Sequence, residues 1–216
     1  MKSGAMTRRA LGLALAAAPW ALSAAATPID TPLSAEDQAL VSRASAYLQG
    51  LGEVKGRFEQ TDARGDVSTG LLYLKRPGRA RFAYDPPSNL VVISDGATVL
   101  VRDPRLKSEN RYPLGATPLA LFLAKQIRLD RGVAVRSVDR IPGGYSLTAY
   151  DARHPAQGEI LLGFSDDPVA LREWRLTDGQ GRTTQVRLSD LTPASGLDPN
   201  LFFVPPPIQR AGSLRF

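Results

Sequence analysis

Apolar and polar residues alternate in short runs along most of this chain, and only two segments switch to a helical spacing. The first lies between Ser34 and Leu51, where Leu40, Val41, Ala44, Tyr47, Leu48 and Leu51 recur at three- and four-residue intervals. Ser34 stands where an N-cap belongs and Asp37 three positions on, a start resembling a capping box. The spacing predicts an amphipathic helix over residues 34–51 with one face in need of a partner. Period-two runs bounded by Gly, Pro, Asp or Asn then predict strands at Val54–Thr61, Val67–Lys75, Arg79–Tyr84, Leu90–Ser94 and Thr98–Arg102. Five more follow at Val133–Val138, Tyr145–Tyr150, Glu159–Phe164, Leu171–Thr177 and Thr183–Leu188. The intervening ARGD, KRPGR, SDGA, IPGG and TDGQG are turn chemistry suited to hairpins. So many antiparallel strands in succession are expected to curl rather than lie flat.

The second helical segment is ATPLALFLAKQ, Ala116–Gln126, with Thr117 as a candidate N-cap and Pro118 at the first helical position. Leu119, Leu121, Phe122 and Leu123 point in nearly every direction around so short a helix, which leaves no polar face for solvent. Such a helix is either buried in a core or closes over an apolar hollow. In the strand before the KRPGR turn, alternation puts Leu72, Leu74 and Arg76 on one face, a permanent cation at the end of an apolar stripe. Phe82 and Tyr84 fall on the same face across the hairpin, while Arg79 and Arg81 point outward.

The first 26 residues change the charge balance. Lys2, Arg8 and Arg9 precede the apolar run ALGLALAAAPWAL, which is short for an anchor and ends in the small residues SAAA. Residues 1–26 are expected to be a secretory signal cleaved near Ala26, leaving a single domain over 27–216; TRRALGL also has a loose twin-arginine look. The whole chain has 27 basic and 21 acidic residues; without the three leader cations the basic count is 24 and the excess falls to three. The remaining cations are scattered among acids, with no basic run and no interleaved aromatics, so nucleic acid is not an expected partner. Cysteine is absent, so an exported domain of this length must rely on its core, and it has no thiol to carry a lipid anchor. A soluble periplasmic location follows.

Catalytic chemistry is thin. His154 is the only histidine, and without a second one or any cysteine a metal site is not expected. No Gly-x-Ser-x-Gly elbow, phosphate loop or zinc-protease motif occurs. Asp166 and Asp167 before Pro168 read as a turn, and Trp174 as sheet packing. No enzyme activity and no cofactor are expected.

The order of pieces from Phe58 to Pro104 resembles the LolA family of periplasmic lipoprotein carriers. A strand ends in Lys75, Arg76 and Pro77; an aromatic-bearing strand with Phe82 and Tyr84 follows, then an apolar strand through Val91, Val92 and Ile93, then the turn Ser94, Asp95 and Gly96. The likeness runs on through Thr117–Ala124 and ends at LDPNLFFVPPP. What the resemblance implies is a mainly β fold: an incomplete, unclosed antiparallel β-barrel with an N-terminal helix, and short lid helices over a hydrophobic cavity. It further implies acylated lipoproteins as cargo, an inner-membrane LolCDE-type ABC transporter as donor and a LolB-like outer-membrane acceptor. Arg76 takes the position of the family's lid-latching arginine. The acyl-chain cavity is expected to be lined by Leu72, Leu74, Phe82, Tyr84, Val92, Leu119 and Phe122, in a monomer. Where the family often has an aromatic residue just after the turn, this chain has Ala80, which bears on cavity width. Two other readings stay open: a carrier of other amphiphilic lipids, and an envelope-stress sensor subunit on the same half-barrel.

Overall fold

The computed structural model describes residues 32–117, 119–123, 125, 133–153 and 155–206, all within the compact unit Thr31–Phe216. The expected signal segment, Pro118 and His154 lie outside the described residues. The N-terminal helix α1 runs Ala35–Gly50; the Ser34 hydroxyl accepts from the Asp37 amide at 3.1 Å and donates to the Asp37 carboxylate at 2.7 Å, so both sides of the start are satisfied. Its buried face is Leu40, Ala44 and Leu48, with Val41, Tyr47 and Leu51 packed alongside.

The strands are β1 (Glu53–Thr61), β2 (Val67–Lys75), β3 (Arg79–Tyr84), β4 (Val91–Asp95), β5 (Thr98–Asp103) and β6 (Ser108–Pro113), then, after a short helix α2 (Leu119–Leu123), β7 (Val133–Ile141), β8 (Gly144–Asp151), β9 (Gly158–Asp166), β10 (Val169–Asp178) and β11 (Thr183–Pro193). Among the described residues they form one antiparallel sheet in the order β6-β5-β4-β3-β2-β1-β11-β10-β9-β8-β7. The outermost strands β6 and β7 do not pair with each other, so the barrel is unclosed. That curl is measurable. Phe82 on β3 and Trp174 on β10 are four strands apart, about 19 Å across a flat sheet, yet their rings sit edge to face with centroids 6.1 Å apart.

The concave face carries the core. Leu72, Phe82 and Val92 align across β2, β3 and β4, and Leu74, Ala80 and Ser94 form the next row toward the KRPG turn. α1 lies against β10 and β7, and its Tyr47 meets Phe164 of β9 edge to face at 6.1 Å. On the convex face a 3-10 turn at Pro199–Phe202 lies against β3 and β4 with Phe202 buried. The Arg81 and Arg111 guanidiniums donate to the carbonyls of Leu201 (3.2 Å) and Pro205 (2.7 Å). Arg81 thus faces outward as alternation required, and fixes this strap to the sheet.

Two local expectations change. β6, SENRYP, was not predicted, because an edge strand without a buried face has no apolar alternation to read. The segment from Ala116 gives a 3-10 turn at Leu114–Ala116 and the five-residue α2, not one helix to Gln126. The Thr117 hydroxyl donates back to the Leu114 carbonyl at 2.8 Å, closing the 3-10 turn, and the Thr117 carbonyl accepts from the Ala120 amide at 3.0 Å.

Candidate functional site

Between α2 and the concave face lies a hollow of about 210 Å³. β3 and β4 supply Phe82, Tyr84 and Val92, and α2 supplies Leu119. From the other half of the sheet come Ile160, Leu162, Trp174, Leu176 and Val186, with Gln60 and Thr184 at the ends of β1 and β11. The lining is mainly hydrocarbon and aromatic. Four of the residues expected there, Phe82, Tyr84, Val92 and Leu119, border the hollow. Leu72 and Leu74 lie on the same face but deeper in the core, at 0% exposure, and the side chain of Phe122 is outside the described residues. Ala80, at 1% exposure, sits in the Leu74 row beneath the turn.

The floor is an aromatic cluster made possible by a glycine. Phe58 lies edge to face with Phe82 at 5.4 Å and with Tyr84 at 4.9 Å. Its cross-strand neighbour is Gly70, where a Cβ would stand 2.7 Å from two atoms of the Phe58 ring and 2.4 Å from the Ala83 carbonyl oxygen. The missing side chain leaves the space that this ring fills. The Tyr84 hydroxyl donates to Gln60 Oε1 at 2.7 Å, and burial pushes its pKa up to about 12.

The closed end of the half-barrel is organised by the KRPG turn. Gly78, at φ +79°, packs so closely on Gly96 that a Cβ would lie 2.6 Å from the Gly96 Cα. Its amide donates to the Leu123 carbonyl at the end of α2 (2.9 Å), and its carbonyl accepts from the buried Ser94 hydroxyl (2.7 Å). Arg76, half-buried, turns inward and donates to the Leu48 carbonyl at the end of α1; burial holds its pKa below the ordinary value. α1 has no basic residue in its last turn, so Arg76 brings a cation to the helix's negative end from outside it. Gln49 Nε2 donates to the Lys125 carbonyl at 3.1 Å, tying the end of α1 to the segment after α2.

Sequence reading named cavity residues from the first strands and α2 and missed the contribution of β9, β10 and β11. The signal was present in the alternation Ile160, Leu162, Phe164 and Thr184, Val186, Leu188, but alternation marks the inward face without saying where that face is left unfilled. Trp174, expected to be sheet packing, borders the hollow as well as packing on Phe82. Among the described residues no group of three His, Cys, Asp or Glu side chains is placed to hold a metal ion, and no helix is long and apolar enough to cross a membrane.

The chain is thus an unclosed half-barrel with an apolar hollow under a short helix. The family model of the outer membrane lipoprotein carrier protein LolA matches residues 49–204, and the chain belongs to that family. An outer-membrane lipoprotein carrier protein of Bordetella pertussis is 29% identical over 212 residues, covering 93% of this chain and 95% of that one. Another, from Chromobacterium violaceum, is 28% identical over 191 residues, 84% of this chain and 91% of the relative. A solved LolA superfamily protein of Nitrosomonas europaea superposes with a TM-score of 0.46 at 11% identity, over 77% of this chain and 97% of that one.

Proposed function

We propose that this protein is a periplasmic carrier that shields the acyl chains of outer-membrane lipoproteins. It takes them from an inner-membrane ABC transporter of the LolCDE type and passes them to a LolB-like acceptor, working as a monomer and without catalysing a reaction. Residues 1–26 act as the export signal. The observation that carries this reading is the apolar hollow roofed by α2 in a chain of the lipoprotein-carrier family.

Each methylene kept from water is worth about 0.8 kcal/mol, so several long acyl chains cost tens of kcal/mol to expose. A hollow of 210 Å³ is below the roughly 300–1,000 Å³ that even drug-sized ligands occupy. Acyl chains therefore enter only as α2 lifts, and its return hides the apolar lining from unwanted contacts. Arg76 is the latch. Its planar fork of donors serves main-chain carbonyls and stays charged at any physiological pH. Release of cargo requires the two positions of α2 to differ by only a few kcal/mol.

Mass spectrometry of material that co-purifies with the mature protein tests this reading. Triacylated peptides are the expected finding. Free glycolipids or other amphiphiles would replace it with a general lipid carrier, and a protein partner without lipid would replace it with a sensor subunit.

A further inference from the structure

The hollow is apolar everywhere except at one end. Phe58 and Gln60 face inward from β1 in succession, and Gln60 aligns with Val186 across β11, while Thr184 aligns with Leu176 one row further out. This polar rim stands at the opposite end of the concave face from the KRPG turn and the end of α1. Tyr84 fixes the orientation of the Gln60 amide by donating to Oε1, which turns the two Nε2 hydrogens into the free donors of that side chain. Gln60 is half-buried at this rim, and a hydrocarbon ligand that covered it would leave those donors without an acceptor, which is costly.

We propose that Gln60 is a polar subsite for the ester carbonyl of a bound acyl chain. The glycerol-linked ends of the chains sit at the Gln60 and Thr184 rim, and the methyl ends point toward Leu119 and the core. This rests on the carrier reading and adds to it the direction in which the cargo lies and the chemical group it is read by. Tyr84 is a positioning residue. Its phenol, pushed up to about 12 by burial, keeps its proton and its donor role across the physiological range. Thr184 adds a hydroxyl at the same rim that can donate to a second carbonyl.

The experiment compares two probes that differ only at the linkage: a bis-palmitoyl S-glyceryl-cysteine peptide with ester-linked chains and its ether-linked counterpart. Each competes against a fluorescent fatty probe on the full mature protein. The wild type is expected to hold the ester about fivefold more tightly, the ratio given by one net hydrogen bond of about 1 kcal/mol. Gln60→Leu brings the ratio to about one by weakening the ester and leaving the ether unchanged. Tyr84→Phe lowers the ratio part-way and serves as the second variant, should Gln60→Leu not fold. Displacement of the peptide by dipalmitoyl phosphatidylglycerol would extend the same ester subsite to phospholipid. Equal affinity for ester and ether in the wild type, or an unchanged ratio in both variants, overturns the subsite while leaving the carrier reading intact. Binding of neither probe overturns both.

Discussion

The amide of Gly78 donates to the carbonyl of Leu123 at 2.9 Å, so the end of α2 hangs from the turn between β2 and β3 by a main-chain bond. If α2 is the part that lifts on loading, this bond breaks while the sheet on either side of the turn stays paired. Hydrogen exchange of the Gly78 amide is therefore expected to quicken roughly tenfold or more when triacylated peptide is bound, corresponding to about 1.4 kcal/mol of lost protection. The amides of Leu72 and Leu74 serve as the unchanged reference. Equal protection of Gly78 with and without cargo would mean that α2 does not move.

Arg76 reaches a different helix end from the one Gly78 holds, and the two contacts flank the same turn. Arg76→Leu removes the guanidinium bonded to Leu48 but leaves the Leu48 carbonyl its contact with the Leu51 amide at 3.3 Å. The expected loss is about 1 kcal/mol, a fall in Tm of about 2–4 °C for a domain of this size. The larger effect is on release: the variant accepts acylated cargo and retains it, so lipoprotein accumulates on protein pulled down from the periplasm. An unloaded variant that delivers normally would remove Arg76 from the latch role.

Much of this architecture was legible because the physics that sets it is local and periodic. β2 and β3 fall on the predicted residues to the end, since Leu72, Leu74, Ala80 and Phe82 alternate strictly and a KRPG turn closes the hairpin. Ser34 and the burial of Leu40, Ala44 and Leu48 likewise follow from spacing. Three features did not follow. β6 lacks an apolar face. The bond of Thr117 back to Leu114 uses the hydroxyl as a donor to the preceding turn, a choice that the residue type does not decide. The distinction between Leu72, sealed in the core, and Val92, bordering the hollow, depends on which side chains of β9 to β11 come opposite them. That relation spans more than sixty residues of chain, and no period encodes it.

Gly70 is a position where such a long-range fit turns on a single atom. Gly70→Ala would drive a methyl into the Phe58 ring and the Ala83 carbonyl oxygen. Overpacking of this kind costs about 1–3 kcal/mol. The displaced ring loses its edge-to-face contacts with Phe82 and Tyr84, so both stability and affinity for acylated peptide are expected to fall. Urea unfolding and probe displacement measure the two. A variant as stable as the wild type with unchanged affinity would show that the aromatic floor tolerates rearrangement.

Tyr84 links the stability of that floor to alkaline pH, and the direction can be worked out from its burial. The phenol is pushed from its ordinary 10.0 up to about 12 because the charged form would lose its hydration. A folded-state pKa above the unfolded value means that the native protein binds more protons between the two. The contribution is complete below about pH 10 and is lost as pH rises through about 12, amounting to about 3 kcal/mol at most. Urea unfolding at pH 9 and at increasing pH up to about 11.5 should show this decline in the wild type. It should be smaller in Tyr84→Phe, which has no proton to lose at that position. Absorbance at 295 nm gives an independent reading: burial pushes up both Tyr84 and Tyr145, so the late phase of the wild type holds these two tyrosines, and Tyr84→Phe is expected to remove one of them while Tyr145 remains. If the amplitude of the late phase is the same in the variant as in the wild type, Tyr84 is not one of the late phenols, and the Tyr84–Gln60 pair does not hold the rim as described.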